Sequence, residues 1–248
     1  MPSPIKVNTK ALVGTALLAA ISVVLLGAAI MVPLAGLPAL RLSFFEIPII
    51  IAGMLFGPLA GGLCGIIADL LGFLLFPKGA FFPGFTLSAA LWGVIPGIIF
   101  KFMKSQNKKF NYSIVNVITT LILAAGVINI LIANGVLKSQ DGTFFIYDSK
   151  LTILHIALYL SVVLAFIIVP IIASKKAVIG IYSLDKLSFI VTITYLIISL
   201  GLNTYWLSIM FNKGFIYFLP GRIIAGLVVI PLHSTILYIL SKTFKYIK

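Results

Sequence analysis

Eight runs of apolar residues dominate the chain, at about 11–35, 44–56, 58–76, 85–103, 112–134, 151–173, 187–207 and 215–240. About 20 apolar residues suffice to cross the hydrocarbon core of a bilayer. The pattern therefore predicts an all-α polytopic membrane protein. Composition agrees: 61% of the residues are hydrophobic and 9% charged, against about 25% charged in a soluble domain. The first run is far longer than the 7–15 residues, roughly, of a signal-peptide core, so it is expected to stay as the first spanning helix. The second is short and contains Pro48 and Gly53. It is separated from the third by Phe56-Gly57-Pro58, where proline suits the first position of a new helix.

The net charge of +13 would point to nucleic acid in a soluble chain. In a membrane chain it reflects Lys and Arg retained on the cytoplasmic side, and no nucleic-acid partner is expected. With the N-terminus inside, 12 of the 18 basic residues fall inside: Lys6, Lys10, Lys101, Lys104, Lys108, Lys109, Lys175, Lys176, Lys186, Lys242, Lys245 and Lys248. Both termini are then cytoplasmic, and the segments 36–43, 77–84, 135–150 and 208–214 face out. The stretches FFPGFTLSAALW (81–92) and LNTYWLS (202–208) share that outer side. The lone cysteine, Cys64, forms no internal disulfide and reads as a packing residue.

A polar group inside a bilayer is costly, about 2.5–3.5 kcal/mol for a charge at the centre, so each one needs a reason. Glu46 either reaches headgroups and Arg41 or serves a site. Asp69 either bonds between helices or serves a site. Arg222 either snorkels to the interface or turns into a cavity after Leu219-Pro220-Gly221. His155 and His233 lack neighbours at metal spacing and read as packing residues. Small residues recur at Gly57, Gly61 and Gly65, followed by Asp69, and again at Ala16 and Ala20. Both stripes permit close helix contact, either within the chain or with another membrane protein.

Catalytic signatures are missing. There is no phosphate loop with Lys-Ser/Thr, no His-Glu-x-x-His, no Cys-x-x-Cys and no Gly-x-Ser-x-Gly. Glu46 and Asp69 lie on different segments with no evident third partner. No cofactor or metal is expected. The residues describe a small membrane protein with an aromatic and polar outer region, no energy source of its own, and a small-residue face suited to a partner.

Four stretches carry a family resemblance: ALLAAISVVL (16–25), residues 40–77, FFPGFTLSAALWG (81–93) and residues 202–233, with the order LNTxWLS…LPxR. The chain resembles the substrate-binding S component of energy-coupling factor (ECF) vitamin transporters, specifically the folate-specific (FolT) type. The resemblance implies a six-helix bundle in the bacterial cell membrane, with both termini inside and ligand bound near the outer face. It implies that helix one docks, through Ala16 and Ala20, on a membrane T subunit served by two ATPases. Six of the eight runs match that bundle. The single membrane domain 1–248 is accordingly read as a core of 1–110 and 187–248 with an inserted helix pair at about 111–186.

Folate joins a flat pterin to an aromatic ring and a glutamate tail. The resemblance assigns Phe82, Phe85 and Trp206 to stacking on the rings. It assigns Thr86, Ser88, Asn203, Thr204 and Ser208 to the polar edge, and Arg41 and Arg222, the only two arginines, to the carboxylates. Two other readings stay open: an S component for another vitamin, and an integral membrane enzyme using Glu46, Asp69 and His155.

Overall fold

A computed structural model describes residues 9–34, 37–77, 79–105, 112–133, 137–140, 143–146, 149–150 and 181–244. Six of its helical stretches are long and apolar enough to span a membrane. The sixth apolar run, 151–173, with His155, lies outside the described residues. The described chain divides into two compact units, 1–108 with 193–218, and 109–192 with 219–248.

In the first unit, α1 runs Thr9–Gly27, α2 Glu46–Phe56, α3 Pro58–Leu75 and α4 Pro83–Ser105. The first apolar run was expected to be helical to residue 35. Instead the helix stops at Gly27, and Ile30–Leu34 (β1) pairs antiparallel with Leu37–Leu42 (β2). The reason is local: Pro33 has no N–H to continue a helix. The register shift between Val32 and Leu34 falls at that same proline, where a strand tolerates one.

The short α2 is apolar on every side, and Ile47 through Met54 are all buried. Just before this helix, Ser43 Oγ donates to Glu46 Oε2 at 3.0 Å. Gly57 ends α2 with φ +98°, and its N–H donates to Gly53 O at 3.0 Å. That conformation favours glycine, and Pro58 then opens α3 at its first turn. Gly53 and Gly61 stand in backbone contact, four residues either side of Gly57, so the chain folds back on itself there.

Helices α3 and α4 run antiparallel along a ladder of small residues. A Cβ on Gly61 would meet the backbone of Gly53 and Gly93, and one on Gly65 would meet the backbone of Ala89. A Cβ on Gly97 would stand 2.8 Å from Gly53 O. The glycine stripe of α3 therefore serves contact within the chain. On α1, Thr15, Ala19, Ser22, Val23 and Leu26 turn inward, while Ala16 and Ala20 sit on the exposed face with Leu12, Leu17, Ile21 and Val24.

The chain re-enters the first unit within α6, Leu184–Tyr195. A π-helical stretch, Leu196–Leu202, follows, and then α7, Asn203–Met210. A turn with Asn212 at φ 50° leads into α8, Phe215–Ser241; Asn tolerates this left-handed geometry better than most residues.

The second unit holds α5, Tyr112–Ala133, a small antiparallel sheet of β3 (Leu137–Gln140), β4 (Thr143–Ile146) and β5 (Ser149–Lys150), most of α6 and most of α8. Asn116 Nδ2 donates to the carbonyl of Asp185 at 2.9 Å, tying α5 to the first turn of α6. Both hairpins fall in connections that an all-α reading leaves irregular.

Candidate functional site

The stretches 81–92 and 202–208 meet in the first unit. Pro83 opens α4, and Phe85 N–H donates to Phe82 O at 3.0 Å, closing the first turn. Phe82 lies 5.8 Å from Phe85, edge-on at 65°, and 5.9 Å from the Trp206 indole at 49°. Tyr205 tilts against Trp206 at 5.2 Å. Such edge and tilted pairs are favourable aromatic contacts. Phe82, Phe85 and Trp206 remain half-buried, so ring area is left for a further flat group. Gly84 makes the approach possible: a Cβ there would lie 2.5 Å from the Phe82 ring and 2.6 Å from that of Trp206. Buried Leu207 and Phe218 pack with Phe85 and Phe211.

One hydrogen bond locks the two stretches together. Trp206 Nε1 donates to Ser88 Oγ at 3.1 Å, and Ser88 is 2% exposed. Thr86 turns instead toward α3, donating its hydroxyl to Asp69 Oδ2 at 2.8 Å. Asp69 is itself buried. Thr204, fully buried, donates to the Ser199 carbonyl five residues back at 3.2 Å. The Asn203 N–H likewise reaches Ile198 O. The Asn203 backbone bond is that of a π-helix, a geometry frequent at functional sites, and the Thr204 hydroxyl adds a side-chain bond across the same span. Ser208 donates to the Tyr205 carbonyl at 2.7 Å.

The side-chain oxygen of Asn203 is different. Its Oδ1 is buried and, among the described residues, accepts no hydrogen bond. An unsatisfied buried acceptor costs about 1–3 kcal/mol, so this atom calls for a donor brought by something else.

The sequence-predicted residues therefore divide. Phe82, Phe85, Ser88 and Trp206 form one cluster, and Asn203 and Thr204 begin the helix that carries Trp206. Thr86 is joined to Asp69. Arg41 lies in β2 opposite Met31. Arg222 is buried on α8 in the second unit, as is His233. Phe211 and Phe218 extend the cluster beyond the sequence reading, where they were visible only as apolar residues. Among the described residues there is no group of three or more His, Cys, Asp or Glu placed to hold a metal ion.

The folate transporter FolT of Clostridium novyi (strain NT) is 43% identical over 95 residues, which span 38% of this chain and 49% of the relative. The chain thus matches about half the length of that curated protein. Among solved structures, FolT bound with folic acid superposes with a TM-score of 0.55 at 21% identity, over 96% of each chain, a likeness of fold. The model of the ECF-type riboflavin transporter S component family matches residues 6–176, well over half of the sequence, and the chain belongs to that family.

Proposed function

We propose that this multi-pass membrane protein is the substrate-binding S subunit of an ECF-type transporter, capturing folate or a close derivative at the outer face for ATP-driven uptake. Membership in a transporter S-component family sets aside the membrane-enzyme reading. The observation that carries folate is the half-buried cluster of Phe82, Phe85 and Trp206, adjoining a helix whose Asn203 offers an unmatched buried acceptor. A flat ring stacks on such rings, and the exocyclic amine and ring N–H of a pterin are donors for such an oxygen. The folate transporter relative and the folate-bound structure support the same ligand.

The remaining roles follow from chemistry. Arg41 and Arg222 hold the glutamate carboxylates by paired, charge-assisted bonds. Thr86, Ser88, Thr204 and Ser208 shape the polar rim. Ala16 and Ala20, on the open face of α1, dock on the T subunit, whose two ATPases supply the energy. The protein sits in the bacterial cytoplasmic membrane with both termini inside, supported by the Lys and Arg distribution. Residues of about 111–186 add a helix pair to a six-helix core formed by 1–110 and 187–248; an even number of crossings leaves the later topology unchanged.

Riboflavin is the second reading, favoured by the description of the family. It too has a flat fused ring but carries no carboxylate for the arginines. Calorimetric titration of the purified protein in detergent with folate, dihydrofolate and riboflavin separates the two. One equivalent of a folate form with no heat from riboflavin is expected. Binding of riboflavin alone would replace the assignment.

A further inference from the structure

We propose that Asp69 is a positioning residue. Through Thr86 its carboxyl group holds the first turn of α4, and with it Phe82, Phe85 and Ser88, in the arrangement that receives the ligand. This rests on the binding-subunit reading above, and it assigns a role to the one acidic side chain buried among the apolar helices of the first unit.

Asp69 continues the ladder between α3 and α4. Gly61 faces Gly93, and one turn on, Gly65 faces Ala89, both in backbone contact. The next rung pairs Asp69 with Thr86, where a hydrogen bond of 2.8 Å replaces backbone contact. Small residues bring helices close but leave them free to slide along one another. A directional bond between two side chains fixes the register, which is what buried polar pairs do best. Thr86 lies four residues after Phe82, one after Phe85 and two before Ser88. Ser88 in turn accepts the Trp206 indole at 3.1 Å. The polar contacts thus run in series: α3 to α4 at Asp69–Thr86, and α4 to α7 at Ser88–Trp206.

Asp69 is 7% exposed, and Ala68 and Gly72 beside it on α3 are buried as well. A carboxyl group among apolar helices is expensive. A structure needing only close packing at this rung would place another glycine or alanine there, as it does at Gly61 and Gly65. The cost is explained if the bond holds the end of α4 that carries the aromatic rings.

The test uses the full chain in detergent, in a Trp92→Phe background that leaves Trp206 the sole indole. Folate affinity and the emission of Trp206 without ligand are both read. Thr86→Val and Asp69→Leu remove the bond from either side and are each expected to weaken folate binding about tenfold and to shift Trp206 emission. The double variant should bind no more weakly than the worse single one. Thr86→Ser and Asp69→Asn preserve a donor and an acceptor and should stay within about threefold of the parent. Wild-type affinity in Thr86→Val, or fully additive losses in the double variant, overturns the proposal. So does an Asp69→Asn variant as damaged as Asp69→Leu while Thr86→Val is intact, because the carboxyl would then meet the ligand itself. If Asp69→Leu fails to fold, the near-isosteric Thr86→Val decides alone. If the parent binds no folate, the capture reading fails. The ligand-free emission still decides the positioning role, which an unchanged spectrum in Thr86→Val would sink.

Discussion

Replacing Gly61 by alanine tests the helix ladder most directly. The added methyl would stand 2.6 Å from Gly53 Cα and 2.7 Å from Gly93 O, where ordinary contact begins at 3.4 Å. The shortfall is 0.8 Å on one side and 0.7 Å on the other, and both obstacles are backbone. No side chain can rotate away, so α2 and α4 must separate from α3. Overpacking of this kind costs about 3 kcal/mol, and alanine returns about 1 kcal/mol of helix propensity. A net loss of about 2 kcal/mol remains, which lowers the folded-to-unfolded ratio about thirtyfold. Denaturation by SDS in mixed micelles, followed by tryptophan emission, measures it. Gly126→Ala is the control, since its Cβ would meet Ile223 at an ordinary 3.6 Å and should be neutral or slightly stabilising. A Gly61→Ala protein as stable as the parent refutes the backbone-contact account of the α2, α3 and α4 junction.

Three further outcomes are expected. Ser88→Ala leaves the Trp206 N–H without its acceptor and should weaken folate binding about tenfold or more, read by calorimetry; unchanged affinity removes this bond from the site. Arg41→Ala and Arg222→Ala should weaken folate but leave a pterin lacking the glutamate tail unaffected, so equal losses for both ligands would take the arginines away from the carboxylates. Ala16→Trp, on the open face of α1, should abolish co-purification with a T subunit while folate binding persists; retention of the complex would move the docking face elsewhere.

The apolar runs foretold the positions of α3, α4, α5 and α8 to within a few residues, because hydrophobic length sets where a spanning helix begins and ends. They overran α1. Hydropathy measures partition into lipid and is blind to whether the backbone is helix or strand, so the apolar residues of β1 passed as helix. The π stretch at Leu196–Leu202 left no composition signal, since it is a matter of hydrogen-bond register. The glycine stripe of α3 was legible, but its partners Ala89, Gly93 and Gly97 emerge only once α4 is laid antiparallel beside it. The aromatic cluster was foreshadowed by two stretches separated by more than a hundred residues, and Trp206 bonding to Ser88 is what joins them. Thr86 is read from the sequence as a ligand contact, and Asp69 as bonding between helices or serving a site. Their mutual bond needs the helix register, which one sequence does not supply.

The fold-back at Gly57 joins two legs of unequal reach. Eleven residues of α2 extend about 16 Å and eighteen of α3 about 27 Å, at 1.5 Å per residue. Counted from their shared bend, Glu46 therefore stops at least about 10 Å short of Leu75 along the α3 axis, and any tilt of α2 deepens the step. The step is set by a count of residues, so inserting one helical turn into α2 would shorten it by about 5 Å.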